Sequence, residues 1–261
     1  LFAAGQFNGS SGYEEAAAQG LIAGINAVRL IDKKEPLILK RSDAYIGVLI
    51  DDLVTKHTKE PYRMMTSRAE YRLLLRQDNA DLRLTKIGYE IGLISKERYE
   101  ALLKKEADIE TEIKRLKSKT IGGKKEVNDF LVENGSTALL GAVTLADLVK
   151  RPELNYELLA AIDNERPKLS TAVGEQVNIN IKYEGYIAKA KREAERLKTM
   201  DHRVLSETLN YDEIPNLSIE GRQILKEFKP ETLGKASRIS GVNPADIAVL
   251  SMYLKNMRRR K

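Results

Sequence analysis

The sequence predicts a mainly α-helical chain, a C-terminal helical bundle preceded by a short glycine-rich piece of a larger domain. Three observations carry this. Apolar residues recur at helical spacing over much of the chain, as in 96–117. Little strand signal appears after residue 55. At 261 residues, with 42% hydrophobic and 31% charged side chains, the composition is that of an ordinary globular protein with a core of its own.

The elements follow in order. Gly5-Gln6-Phe7-Asn8-Gly9-Ser10-Ser11-Gly12 runs into a helix to about Leu30, with Ser11 and Glu14 spaced as a capping box. Ala16, Gly20 and Gly24 recur every four residues, giving that helix one nearly bare face. Such a helix needs something to pack on, so residues 1–35 read as the last piece of a larger domain. Tyr45 to Ile50 is compatible with a buried strand or a helix, and periodicity does not decide. Ser67 and Glu70 form a second capping pattern, predicting a helix through about Gln77. Residues 96–117 predict an amphipathic helix with Ile109, Ile113 and Leu116 inward, ending before Gly122-Gly123. Short helices follow to about 171, punctuated by Gly135, Gly141, Pro152 and Pro167. Glu175 to about Met200 predicts one long helix, and 205–261 a compact terminal unit. The domain boundaries read as 1–35, 36–204 and 205–261.

The composition also excludes chemistry. Cysteine is absent, which removes disulfides, thiolate ligands and cysteine nucleophiles. The two histidines, His57 and His202, are far apart with no spaced partners, so no metal site is expected. No apolar run is long enough to span a bilayer and no signal-peptide pattern appears, so a cytoplasmic location is expected.

The glycine loop ends at a helix start, where free backbone N–H groups and the positive helix end suit an anionic or carbonyl-bearing ligand. Spacing alone is met as well by a tight turn before a helix. The string Ala4-Gly5-Gln6-Phe7-Asn8-Gly9-Ser10-Ser11-Gly12-Tyr13-Glu14-Glu15-Ala16-Ala17-Ala18-Gln19-Gly20, however, closely resembles the second flavin-contacting segment of the MnmG/GidA family. These are the tRNA uridine 5-carboxymethylaminomethyl modification enzymes. The resemblance continues through Lys59-Glu60-Pro61-Tyr62-Arg63-Met64-Met65-Thr66-Ser67-Arg68-Ala69-Glu70-Tyr71-Arg72-Leu73 and Asp78 to Thr85. It recurs at Lys182 to Ile187 and Ala236 to Val242.

The resemblance implies an FAD enzyme, homodimeric when complete, that modifies the wobble uridine of certain tRNAs with a partner GTPase of the MnmE family. NADH is the implied reductant, and a methylene-tetrahydrofolate the carbon donor. Gln6 matches the family's flavin-contacting glutamine, with Gly5, Asn8, Gly12 and Tyr13 around it as the implied cofactor contacts. The family's G-x-G-x-x-G fingerprint, its second nucleotide-binding region and its cysteines are not in this sequence. No catalytic residue is therefore expected here.

Net charge is +6, and it is concentrated. Residues 56–86 hold Lys56, Lys59, Arg63, Arg68, Arg72, Arg76, Arg83 and Lys86 against Glu60, Glu70, Asp78 and Asp81. A helix from Ser67 would set Arg68, Arg72 and Arg76 on one face toward successive phosphates, with Tyr62 and Tyr71 to stack on a base. Arg68 and Arg72 could instead pair internally with Glu70, Asp78 or Asp81. With the family resemblance, tRNA or flavin-proximal binding is the preferred reading of Arg63 and Arg72.

A second basic set is Lys182, Tyr183, Tyr186 and Lys189, followed by Lys191 and Arg192. It fits a phosphate-facing surface, or equally two tyrosines packing between helices. Arg258-Arg259-Arg260-Lys261 reads as an electrostatic tether. In the terminal unit, two short helices around Ser240-Gly241-Val242-Asn243-Pro244 are not far from a helix-turn-helix, which would make a non-catalytic DNA-binding module. Its second helix carries Asp246 and almost no base-reading donors, so protein docking is preferred, the role the family implies for its terminal bundle. A purely structural interaction module is the third reading.

Overall fold

The computed structural model describes residues 1–55 and 60–259, with side chains as far as Met257. Lys56, His57, Lys59 and the basic tail Arg258 to Lys261 lie outside the described side chains. The architecture is helical. In chain order the helices are α1 (Tyr13–Ile31), α2 (Tyr45–Thr55), α3 (Ala80–Glu90), α4 (Lys96–Ser118), α5 (Lys125–Glu133) and α6 (Leu145–Val149). Then come α7 (Thr171–Lys182), α8 (Glu184–Asp201), α9 (Ile219–Phe228), α10 (Leu233–Arg238) and α11 (Pro244–Arg259). Two short strands, β1 (Thr120–Ile121) and β2 (Val143–Thr144), pair antiparallel with Thr120 opposite Thr144. The chain forms two compact units, Leu73–Lys189 and the discontinuous pair Leu1–Arg72 with Ala190–Lys261.

In unit Leu73–Lys189 the core is built on α4 and α7. Ile109 and Leu116 of α4 meet Val173, Val177 and Ile181 of α7, with Leu145, Leu148 and Tyr156 filling between. The inward stripe predicted for α4 is there, and Ser95 starts the helix by accepting the Arg98 N–H. Ser170 caps α7 and Thr144 caps α6 in the same way. A charged cluster is sealed into this core. Arg115 bonds Glu112 at 2.7 Å and Asp163 at 2.5 Å, and the Tyr156 hydroxyl donates to Glu112 at 3.0 Å. Each carboxylate is 2% exposed, so the arginine supplies the charge that makes their burial tolerable.

In the other unit, α9, α10 and α11 enclose Leu205, Ile214, Leu225, Leu233 and Leu250. Asp246 is the bolt. Its carboxylate, 2% exposed, accepts from the Ser218 N–H and hydroxyl and from the Asn243 N–H. This ties the start of α11 to the start of α9, a structural use of the residue that weakened the helix-turn-helix reading.

Three local expectations are corrected. Ser11 does not cap α1; Gly12 is the N-cap, because the place where a side chain would stand is filled by the Glu15 carboxylate and the Arg63 guanidinium. No α-helix runs from Ser67 to Gln77. The segment is one 3₁₀ turn, Thr66–Arg68, and then turns. Its carbonyls are taken by side chains, which displaces the helical ladder. Arg41 donates to Arg68 O, Arg76 to Leu73 O, Asn79 to Leu74 O and Arg83 to Arg76 O. Finally, the long helix expected over 175–200 is two helices. Tyr183 leaves helical geometry at φ −104°, ψ 16°, and α8 begins at Glu184, which is drawn to Lys117 and Lys150. Tyr45 to Ile50 resolves as helix, the first turns of α2, with Val48 and Leu49 buried.

Candidate functional site

The glycine loop is held in shape by side chains of α1. Gly5 and Gly9 take positive φ, +72° and +74°, which glycine adopts without Cβ strain. Between them Gly5–Asn8 forms a 3₁₀ turn. The Gln19 carboxamide, 3% exposed, bridges this turn: its oxygen accepts the Gly5 N–H and its nitrogen donates to the buried Ser10 hydroxyl, both at 2.8 Å. One helical turn earlier, Glu15 accepts the Met64 N–H at 2.8 Å and lies 3.8 Å from the Arg63 guanidinium. The Tyr62 N–H donates to Gly9 O at 2.7 Å. Loop and segment 62–64 are thereby fastened side by side.

Behind them sits a buried polar core. The Tyr62 hydroxyl donates to Asp52 at 2.8 Å, and Asp52 is itself bonded by Arg41 at 2.5 Å. Arg41 also reaches Asp51 at 3.0 Å and Glu70 at 2.8 Å. Arg68 lies over the Tyr62 ring at 4.7 Å. Burial first, then the bond to Asp52, keeps the Tyr62 phenol protonated well above the ordinary range.

What remains turned outward is a consistent set. Gln6, Asn8 and Tyr13 are exposed, and among the described residues none has a side-chain partner. The first N–H groups of α1 stand beside them, and the Arg63 side chain is 59% exposed. Such a rim can donate several hydrogen bonds and one positive charge to the edge of a flat, carbonyl-rich ring.

The arginine row is dispersed. Arg68 is stacked on Tyr62, and Arg76 is drawn onto Asp78 at 3.1 Å. Arg72 is exposed, and so is Arg63, but no helix face unites the four. Nor, among the described residues, do Arg68 and Arg72 make the internal ion pairs that were their alternative: Glu70 is taken by Arg41, and Asp78 by Arg76. The second basic set is different. Tyr183 and Tyr186 are 46% and 69% exposed, so they are not packing anchors. Lys182 and Lys189 flank them, Lys182 reaching Pro152 O at 3.4 Å and Lys189 exposed. These four residues belong to the unit Leu73–Lys189.

Three residues that fasten the loop, Glu15, Gln19 and Arg41, were not singled out from sequence. Glu15 and Gln19 are four apart on a helix otherwise rich in alanine and glycine, a legible sign that one polar face is used internally. Glu15 yields a pH prediction. The Met64 N–H, chiefly, holds its carboxyl below the ordinary glutamate range. A lowered folded-state value means that its contribution is full above the unfolded value and is lost as pH falls through the folded one. Glu15→Gln is therefore expected to shrink the gap to wild type as a urea midpoint is followed into the acid range. A gap constant with pH would show that the charge contributes nothing.

Comparison with known proteins now adds to this geometry. Three family models match: "Glucose inhibited division protein A" over residues 1–35, "tRNA modifying enzyme MnmG/GidA C-terminal helical domain" over 96–191, and "tRNA modifying enzyme MnmG/GidA C-terminal helical bundle" over 193–261. The chain belongs to the MnmG/GidA family. Its match to the first model fits the reading of residues 1–35 as a piece of a larger domain, and the other two account for the helical class. Among curated MnmG/GidA relatives, the tRNA uridine 5-carboxymethylaminomethyl modification enzyme of Clostridium botulinum (strain Loch Maree) is 59% identical over 259 residues. That of Lachnoclostridium phytofermentans is 59% identical over 261. These alignments take in 99% and 100% of the chain but 41% and 42% of the relatives, so it spans about two-fifths of their length. A crystal structure of Aquifex aeolicus GidA superposes with a TM-score of 0.76 at 42% identity, covering 97% of the chain and 40% of that protein. Among the described residues no helix is long and apolar enough to cross a membrane, and no group of side chains is arranged to hold a metal.

Proposed function

We propose that the chain supplies one wall of the flavin pocket and a tRNA-contacting surface to an FAD-dependent enzyme that modifies C5 of the wobble uridine. The observation that carries this is the fastened glycine loop, with Gln6, Asn8, Tyr13 and Arg63 left turned outward while Gln19, Glu15 and Ser10 are used to hold it. Gln6 and the N–H groups around Gly12 and Tyr13 would hold the flavin ring edge, with Gly5 and Asn8 beside them and Arg63 as its cationic neighbour. Bound flavin would accept reducing equivalents from NADH, the reductant in this reading. Equilibrium dialysis of the 261-residue chain against FAD tests the wall directly. Retention is expected, weakened about tenfold by Arg63→Ala through loss of a charge-assisted contact. Retention no greater than that of an unrelated helical protein would refute it.

The tRNA surface is assigned to Lys182, Tyr183, Tyr186 and Lys189, with Arg63 and Arg72 as further exposed cations. Arg68 and Arg76 are given structural roles. The supporting observation is exposure: two half-free aromatic rings between lysines offer both stacking and phosphate contact. For the segment 205–261 we propose docking of the MnmE-family GTPase. There Ile219 and Met252 are 77% and 63% exposed, apolar surface of the kind a protein partner covers. A complete enzyme that is a cytoplasmic homodimer fits this reading, with the domain division 1–35, 36–204 and 205–261 serving pocket, tRNA and partner in turn.

A further inference from the structure

A cavity of about 440 Å³ opens in the unit formed by Leu1–Arg72 and Ala190–Lys261, away from the glycine loop. Its size falls in the range of roughly 300–1,000 Å³ typical of small-molecule sites. Leu197, Met200, Val242 and Ile247 give it an apolar wall. Five cationic side chains line it against two acidic ones, Glu70 and Asp201. Of the cations, Arg41 and Arg238 are committed to carboxylates. Arg196 and Lys198 pair with Glu193 at 3.0 Å and Glu195 at 3.4 Å on their own helix and are 71% and 42% exposed. The exposed Lys40 ammonium has no carboxylate partner among the described residues.

The decisive group is Tyr71. It lines the cavity and is 8% exposed, yet its hydroxyl is neither hydrogen-bonded by the protein nor among the polar atoms sealed from solvent. Like any tyrosine it is protonated at neutral pH, and burial, then Glu70 and Asp201, pushes its phenol up to about 12. Its ring is nearly buried while its hydroxyl stays accessible and without a protein partner, so it is free to donate to an acceptor on a ligand. The half-exposed carboxylates Glu70 and Asp201, paired with Arg41 and Arg238, keep lone pairs that can accept from donors on the same ligand. A simple aliphatic acid would satisfy the cations alone.

We infer that this cavity binds a phosphorylated nucleoside, its base on the apolar wall beside Tyr71 and its phosphate at the rim formed by Lys40, Arg196 and Lys198. A free mononucleotide and the phosphorylated end of an RNA strand share this chemistry. The inference uses none of Lys182, Tyr183, Tyr186 and Lys189, and none of the residues assigned to the flavin wall.

Isothermal titration of the 261-residue chain with AMP tests it, with adenosine and inorganic phosphate as separate probes. AMP is expected to bind at least tenfold more tightly than either part. Tyr71→Phe weakens it about three- to tenfold, the worth of one neutral hydrogen bond. Ala248→Trp, a change at an exposed position lining the cavity, abolishes it while helical circular dichroism is unchanged. A 5′-phosphorylated trinucleotide binding more tightly than AMP, with the same sensitivity to Ala248→Trp, identifies the strand end as the source; weaker binding identifies the free nucleotide. Absence of AMP binding at millimolar concentration, or binding indifferent to Ala248→Trp, overturns the inference. Tyr183→Ala with Tyr186→Ala should leave AMP binding as it is, which separates this result from the fate of the tRNA surface.

Discussion

Arg41→Ala is expected to lower the unfolding free energy by about 3–5 kcal/mol, the range for removing one partner from a buried ionic cluster. Arg41 is 6% exposed and faces Asp52 at 0%, Asp51 and Glu70, while donating also to the carbonyls of Val48 and Arg68. Without it the Asp52 carboxylate loses the guanidinium bonded to it at 2.5 Å, a charge-assisted contact that the neutral Tyr62 hydroxyl does not replace. Because Tyr62 also fastens Gly9 through its N–H, the loss reaches the glycine loop. Urea unfolding followed by circular dichroism measures this, and Arg41→Lys should recover only part, since an ammonium cannot span three carboxylates as a planar guanidinium does. A cost under about 1 kcal/mol, as for a surface ion pair, would show that the cluster is hydrated. Lys34→Ala, which breaks the exposed pair with Asp32, serves as that reference.

Replacing Tyr183 and Tyr186 together by alanine is expected to weaken tRNA binding by about five- to 150-fold per ring, from stacking worth about 1–3 kcal/mol per base. Exposures of 46% and 69% mean that the fold loses little when the rings go. Fluorescence anisotropy with labelled tRNA reads the change, and unchanged thermal unfolding shows that the scaffold is intact. Affinity within twofold of wild type would remove these rings from the RNA surface.

Much of this molecule is legible in its sequence, for reasons that differ by element. The stripe of α4 and its Ser95 cap are local patterns, and local patterns survive folding when nothing opposes them. Ser67 and Glu70 present an equally good pattern that fails, because the competitors are distant in sequence. Arg41, far from the segment, takes a carbonyl that a helix would have used internally and draws Glu70 aside. At Ser11 and Glu14 the capping pattern is one residue out of place, since Glu15 is the residue whose carboxylate is turned inward to Met64. The loop itself was identifiable by family resemblance, whereas its fastening by Gln19 and Glu15 becomes visible only once Tyr62 to Met64 lies beside it. Exposure of Tyr183 and Tyr186 could not be read from spacing, which suits packing and stacking alike; the break between α7 and α8 decides it.

In the reading proposed above, RNA phosphates meet the lysines around Tyr183 and Tyr186, and Arg68 and Arg76 take no part. The slope of log affinity for tRNA against log salt tests it most directly, because each lost phosphate contact flattens that slope by about one. Lys182→Ala with Lys189→Ala is predicted to flatten it by about one to two, with Arg68→Ala leaving it parallel to wild type. A slope flattened by Arg68→Ala and untouched by the lysine changes would contradict the account.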